Sequence, residues 1–338
     1  ECLMARIAVL GSGSWGTAIA VMADRHGHQV SLWSVFPEEV DCLRRDREHK
    51  KLLPGVMIPD SVRITNDIHT AADADLVILA VPSFAVRSTA SMLRKVLPDG
   101  AVVANLAKGF EQDGTKRLSQ VIAEELPQVR VVVISGPSHA EEVSRGIPTT
   151  VVSASHDQEA ATLVQDILMN PDFRVYVNPD IVGVELGGAL KNIVALAAGI
   201  CDGMGLGDNT KAALMTRGLT EIARLGVKMG AQTETFAGLS GIGDLIVTCT
   251  SMHSRNRRAG ILMGQGVPTK EAVGRLSTVE GYHATYSAKL LSEQYQVVMP
   301  ITEECYQVLF NNKDPQKALA DLMVRPKCSE TEHTWLDK

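Results

Sequence analysis

The chain has 338 residues, 45% of them hydrophobic and 21% charged, a balance that excludes a disordered or fibrous polymer and suits a large packed core. At roughly 100–200 residues per domain, that length makes two domains or one large one. A net charge of −6 and a pI near 5.9 provide no global attraction to nucleic acid or anionic membrane.

In chain order, β-branched apolar runs predict strands over 6–10, 29–33, 62–65, 76–81, 101–105 and 131–134, with 147–153 and 174–177 as further candidates. The first, second, fourth, fifth and sixth runs are spaced widely enough for crossover helices. That rhythm predicts a largely parallel sheet with helices on both faces. From Pro179 onward strand signals stop, and Ala/Leu/Gly-rich helical patterns run to Pro326. The expected boundary is Asn178-Pro179-Asp180, since Pro suits a helix start. It gives a domain over 1–178, a helical domain over 179–326 and a loosely packed tail over 327–338.

Cys2, Cys42, Cys201, Cys249, Cys305 and Cys328 are scattered, with no C-x-x-C pair and no His at ligand spacing. They read as reduced thiols, without a disulfide framework or a metal site. The first residues lack the basic flank and cleavage site of a signal peptide. A cytoplasmic protein with no membrane insertion and no nucleic-acid partner is expected.

The first predicted strand runs into Gly11-Ser12-Gly13-Ser14-Trp15-Gly16 and then a helical pattern. In that context G-x-G-x-x-G reads as a dinucleotide turn: Gly11 turns the chain, Gly13 lets backbone approach a pyrophosphate, and Gly16 permits close helix–strand packing. Free N–H groups at the helix start then face the phosphates. An acid at the end of the second strand would read the ribose 2′-hydroxyl of NAD. Here the strand is followed by Ser34, and the first acids are Glu38 and Glu39, which weakens a strict NAD preference. Ser34 suits a 2′-phosphate, but no Arg stands beside it. The choice between NADH and NADPH stays open.

Within 181–200 the only charges are Glu185 and Lys191. Twenty apolar residues reach across a bilayer, but two charges and several glycines favour a buried helix. Around Lys191 the helical neighbours are Gly187, Gly188, Val194 and Ala195. Two readings stand: a lysine snorkelling past small residues, or a buried lysine whose lowered pKa suits proton transfer.

Asp244 sits in another apolar run and needs a cation or donor, for which Lys191 is the natural candidate; Thr248, four residues on, shares its face if this part is helical. Ser254-Arg255-Asn256 offers a hydroxyl, a bidentate guanidinium and an amide to a phosphoryl group. The plainer alternative is a solvated basic helix start, which is how Arg257 and Arg258 read. Two loops follow predicted strands: Leu106-Ala107-Lys108-Gly109 and Ser135-Gly136-Pro137-Ser138. Ligands of open α/β sheets bind beyond such strand ends. Ser138 with Glu141 also matches a helix capping box. His26 and His28 read as solvated, and glycines 199, 203, 205 and 207 as a bend or loop.

These segments together resemble the bacterial-type NAD(P)-dependent glycerol-3-phosphate dehydrogenases. The resemblance covers 11–18, 107–109, 135–143, 183–200, 216–221, 238–260 and 279–285. It implies a Rossmann-type α/β domain followed by an all-α domain like that of 6-phosphogluconate dehydrogenase. It also implies reversible reduction of dihydroxyacetone phosphate to sn-glycerol 3-phosphate for phospholipid synthesis, using NADPH or NADH and no metal. By resemblance Lys191 moves the proton, with Asp244 and Lys108 beside it. Gly136, Ser138, Ser254, Arg255 and Asn256 surround the substrate, while Ser14, Trp15, Lys108, Ala140, Arg255, Val279 and Glu280 touch the cofactor along with the glycines and Ser34. A homodimer is the family-level expectation. Family members commonly carry a basic residue or His where this chain has Ser34. A ketopantoate-type or hydroxy-acid reductase and a nicotinamide-binding redox sensor are the competing readings; a nucleotide-sugar dehydrogenase would need Cys201 as a nucleophile, with nothing nearby to activate it.

Overall fold

The computed structural model describes residues 4–112 and 114–330. Cys2 and all but the first four residues of the expected tail lie outside the described residues, and those four are exposed. The chain divides into two units. One runs to Ala107 and resumes over Lys116–Ile181; the other takes Lys108–Thr115 and the chain from Val182 on. The main division thus falls three residues beyond the expected 178/179 boundary, and a short segment expected in the first domain belongs to the second unit. The reason is packing: Phe110 is buried in the helical core, and Ser287 Oγ donates to Gly114 O at 2.6 Å.

The first unit contains β1 (Arg6–Leu10), β2 (Gln29–Trp33), β3 (Arg63–Thr65), β4 (Leu76–Leu79), β5 (Val102–Asn105), β6 (Arg130–Ser135), β7 (Thr149–Ala154) and β8 (Phe173–Asn178). They form one sheet in the order β3-β2-β1-β4-β5-β6-β7-β8, parallel throughout except between β6 and β7. Its helices are α1 (Ser14–Arg25), α2 (Pro37–Asp46), α3 (Val86–Leu93), α4 (Leu118–Glu125), α5 (Ala140–Val143) and α6 (Gln158–Leu168). Successive strand residues face opposite ways, and here both faces are covered. Ile7 and Val9 of β1 join Ile19 and Met22 of α1 in one core. Ala8 and Leu10 join Ala90 of α3 and Val121 of α4 in the other. Double coverage is why β1, β4 and β5 read as unbroken apolar runs, whereas β8, with Arg174 and Tyr176 exposed, alternates. Strand order reverses between β1 and β4, so the β1–α1 turn stands at the position where such sheets bind ligands.

The second unit is helical: α7 (Ile181–Gly203), α8 (Asp208–Lys228), α9 (Thr233–Phe236), α10 (Asp244–Thr250), α11 (Arg255–Gly264), α12 (Thr269–Gly274), α13 (Glu280–Gln294), α14 (Pro300–Phe310) and α15 (Pro315–Met323). Helix α7 has the length and mean hydropathy, 1.6, of a membrane span, but 94% of its apolar window is buried within the protein. It is the core helix of this unit. Gly199 and Gly203, expected to mark a bend, lie inside it instead. A Cβ on Gly199 would stand 2.1 Å from Arg257 O, and one on Gly203 2.2 Å from Ile261 O. Gly260 and Gly264 of α11 answer them against Leu196 O and Ile200 O. Two helix backbones therefore lie in direct contact, an approach open only to residues without a side chain.

Candidate active site

In the first unit the dinucleotide turn has the geometry its sequence predicts. Gly11 has φ +120°, and a Cβ there would stand 2.5 Å from Ala80 O. A Cβ on Gly16 would overlap Gly11 O, whereas one on Gly13 would meet nothing within 4 Å. The backbone is thus crowded on the protein side and open at Gly13. The first intrahelical bond of α1 runs from Thr17 N–H to Gly13 O, which leaves the N–H groups of Ser14, Trp15 and Gly16 outside the helix ladder. An open glycine before a helix N-terminus suits a pyrophosphate, so these residues fit a dinucleotide.

Beyond β2, Ser34 is buried and donates from Oγ to Glu39 Oε2 at 2.5 Å. Ser12, between the first two glycines, donates to the same oxygen at 2.5 Å. His49 Nε2 lies 3.3 Å from Glu39 Oε1. The His49 bond is the main force holding the Glu39 carboxyl down at about 2; burial opposes it, and the two serines assist. The sequence leaves no acid at the end of β2, but the first turn of α2 brings one there.

The loops after β5 and β6 are shaped by their own polar groups. Buried Asn105 bonds both the N–H and the carbonyl of Ala107 through its side chain. Gly136 has φ +131°, and Ser138 Oγ donates to its carbonyl at 2.9 Å. The capping-box reading of Ser138 fails: the residue before α5 is His139, with no side-chain cap, and Ala140 opens the helix. His28 is also not solvated. It is buried, its Nδ1 accepts from Ala5 N–H at 3.2 Å, and burial lowers its pKa.

In the second unit Lys191 is buried in α7. Its Nζ donates to Asp244 Oδ1 and, at 2.6 Å, to Thr248 Oγ1. Asp244 and Thr248 are one turn apart on α10, as their spacing predicts. Thr248 Oγ1 in turn donates to Asp244 O at 2.6 Å. The second Asp244 oxygen accepts from Lys108 Nζ at 2.6 Å. Two ammonium groups therefore share one carboxylate that is 1% exposed, leaving a net positive charge. Burial draws the Lys191 pKa down to about 8; Asp244 opposes that fall and the Lys108 cation adds to it. Burial alone would raise the Asp244 carboxyl, but the two lysines outweigh it and the pKa ends below the usual value. A wide π-type turn, Leu239–Gly243, leads into this residue, an irregularity frequent at functional sites.

Ser254, Arg255 and Asn256 open α11. Ser254 caps the helix by accepting from Arg257 N–H at 3.1 Å. Arg255 is exposed and donates to Ser277 Oγ at 3.2 Å. Asn256 is buried: its amide donates to Asn192 Oδ1 at 3.0 Å, and its oxygen accepts from Gly281 N–H at 2.8 Å. Val279 and Glu280 stand beside that glycine at the start of α13. So the structure brings together Lys108, Lys191 and Asp244, and ties Asn256 to the residue after Lys191. Asn192, and the return of Glu39 to Ser34 and Ser12, escaped the sequence reading, since Asn256 lies 64 residues from Asn192 and Ser12 lies 27 from Glu39. Arg257 is a brace: Nε donates to Asp202 at 2.8 Å and Nη1 to Thr250 O at 2.7 Å. Burial raises the Cys201 thiol pKa, away from the thiolate a nucleophile needs. Among the described residues no three His, Cys, Asp or Glu side chains gather as a metal cluster.

Comparison with known proteins gives the family of the chain. A family described as NAD-dependent glycerol-3-phosphate dehydrogenase matches over its N-terminal part at residues 6–161 and over its C-terminal part at 180–320. Glycerol-3-phosphate dehydrogenase (NAD(P)+) of Moorella thermoacetica is 58% identical over 328 residues, covering 96% of this chain and 98% of the relative. That of Desulfitobacterium hafniense is 54% identical over 334 residues, covering 98% and 95%. The crystal structure of glycerol-3-phosphate dehydrogenase from Coxiella burnetii superposes with a TM-score of 0.91 at 39% identity, covering 95% of this chain and 99% of that one. A ketopantoate reductase from Ralstonia eutropha reaches a TM-score of 0.58 at 16% identity, a likeness of fold alone. The chain belongs to the NAD-dependent glycerol-3-phosphate dehydrogenase family.

Proposed function

We propose that Lys191 is the proton donor and acceptor as this NAD(P)-dependent enzyme interconverts dihydroxyacetone phosphate and sn-glycerol 3-phosphate, the precursor of glycerophospholipids. The observation that carries the reading is one buried carboxylate, Asp244, shared by Lys191 and Lys108. Reduction of the ketone takes two deliveries, a hydride at carbon and a proton at oxygen. When bound, the nicotinamide supplies the hydride. Gly11, Gly13, Ser14, Trp15 and Gly16 hold the dinucleotide, with Ala140, Val279 and Glu280 as further cofactor contacts carried over from the family.

Lys191 gives its Nζ proton to the developing alkoxide and takes it back in the oxidation direction. Asp244 and Thr248 fix the direction of the ammonium, and the positive balance of the cluster favours negative charge on the substrate oxygen. Lys108 polarises the same end of the substrate. Arg255, with Ser254 and Asn256, grips the phosphate, turning binding energy remote from the reacting carbon into orientation. Asn256 does so as part of a frame with Asn192 and Gly281. Gly136 and Ser138 complete the substrate contacts.

The test is a nicotinamide absorbance assay with dihydroxyacetone phosphate set against unphosphorylated dihydroxyacetone. The expected result is turnover of the phosphate ester and a large loss without the phosphate. Equal turnover of both sinks the phosphate grip; no turnover of either sinks the reading. We extend the proposal to a homodimer, the family-level expectation, which light scattering checks. A cytoplasmic location is supported by Cys42, Cys201, Cys249, Cys305 and Cys328, all free thiols.

A further inference from the structure

NADH and NADPH differ by one 2′-phosphate on the adenosine ribose. We propose that Glu39 reads this position and makes the enzyme select NADH over NADPH. The inference rests on the reading above only for its use of a nicotinamide cofactor.

In doubly wound sheets the adenosine ribose lies beyond the carboxyl end of β2, where an acid accepts from the 2′-hydroxyl. Residues 34–36 here are Ser, Val and Phe, none of them acid or base. The acid arrives from the next element. Pro37 starts α2 at once, and Glu39 folds back so that a single oxygen accepts from Ser34 at the strand end and from Ser12 in the glycine turn. The carboxylate is therefore pinned to both landmarks that frame the ribose.

Its third partner is a ring nitrogen. Leu52 N–H donates to His49 Nδ1 at 3.2 Å, so the ring donates to Glu39 through Nε2. The arginines that follow in sequence are engaged elsewhere: Arg44 with Ile64 O, Arg45 with Asp46, and Arg47 with Pro59 O and Val62 O. Ser34, the hydroxyl that would donate to a 2′-phosphate, spends its proton on Glu39. Three donors take three of about four acceptor positions on a carboxylate, and the side chain keeps 31% of its surface exposed. A ribose hydroxyl finds an acceptor there, whereas a phosphate carrying about −1.5 to −2 charge meets a fixed negative one.

The test is direct binding without substrate, read by nicotinamide fluorescence, on the native protein and on Glu39→Gln. Native protein should bind NADH at least about ten-fold more tightly than NADPH, as one unit charge against a phosphate at short range demands. Glu39→Gln should narrow the ratio to within about three-fold, mainly by improving NADPH. A second measurement needs no variant: AMP should displace bound NADH from native protein, and 2′-phospho-AMP should not. Native protein that binds NADPH as well as NADH overturns the inference, as does a ratio unmoved in a folded variant. Selective NADH binding without turnover of dihydroxyacetone phosphate upholds it and sinks the substrate reading; turnover with equal binding of both cofactors does the reverse.

Discussion

A buried ammonium keeps its charge only while a partner stays beside it, and for Lys191 that partner is shared with Lys108. Burial, against the pull of Asp244, gives the enzyme a titrating group near neutrality by drawing the Lys191 pKa down to about 8. In the role proposed for Lys191, ketone reduction needs the lysine protonated, so kcat/KM for dihydroxyacetone phosphate should fall as pH rises through about 8. Glycerol 3-phosphate oxidation needs it neutral and should rise across the same interval. Lys191→Ala should lose turnover by about 100-fold or more and lose that limb in both directions. Initial rates from pH 6 to about 10 check this; a limb that survives in the variant assigns the proton to another group. Much of this was legible in the sequence, because a lysine and an aspartate each stranded in an apolar run demand each other and Thr248 follows at one helical turn. Glu39 was not legible. Nothing in a linear reading shows that the first turn of α2 folds back onto the strand before it.

Elements fail to be read where backbone meets backbone. Gly199, Gly203, Gly260 and Gly264 look like breaks in a helix, yet they are the surface along which α7 and α11 touch. At Gly260 an added Cβ would lie 2.1 Å from Leu196 O and 2.7 Å from Ile200 N. Gly260→Ala should cost about 2 kcal/mol or more of stability, lower the thermal midpoint, and raise KM for dihydroxyacetone phosphate because Arg255 and Asn256 ride on α11. Differential scanning fluorimetry and initial rates check both effects; an unchanged midpoint would mean that the two helices have slack between them.

A second joint between elements depends on pH. Glu221 of α8 accepts from Ile301 N–H at 2.6 Å and from Thr302 N–H at 3.2 Å, at the start of α14. Burial nevertheless pushes its carboxyl up from 4.5 to about 7, against those bonds and the Arg224 cation. A folded pKa above the unfolded one means that its contribution is fully present below about 4.5 and is lost as pH rises through about 7. Glu221→Gln has no such loss. Relative to native protein, its thermal midpoint should therefore climb between about pH 5 and about pH 8, and a constant difference would show that Glu221 does not titrate there.

At the scale of the whole molecule, all eight strands were legible to within three residues, since the central parallel strands, covered on both faces, are apolar runs that end at polar turns, and β8 shows the alternation of a strand covered on one face. The change to helices after Pro179 was equally plain. What the sequence concealed is that residues 108–115 leave the first unit for the second. A strand-ending loop gives no sign of which core its one aromatic, Phe110, will join. That excursion has a consequence for how such a protein is inherited. The chain passes from one unit to the other at 107/108, 115/116 and 181/182, so Lys108 reaches Asp244 as the covalent continuation of β5. A recombination event at the apparent junction near residue 181 would carry Lys191, Asp244 and Thr248 away together but leave Lys108 behind. Replacing everything before that junction with another nucleotide-binding domain would strip one cation from the buried carboxylate in the same stroke. The two halves are not exchangeable cassettes at that junction.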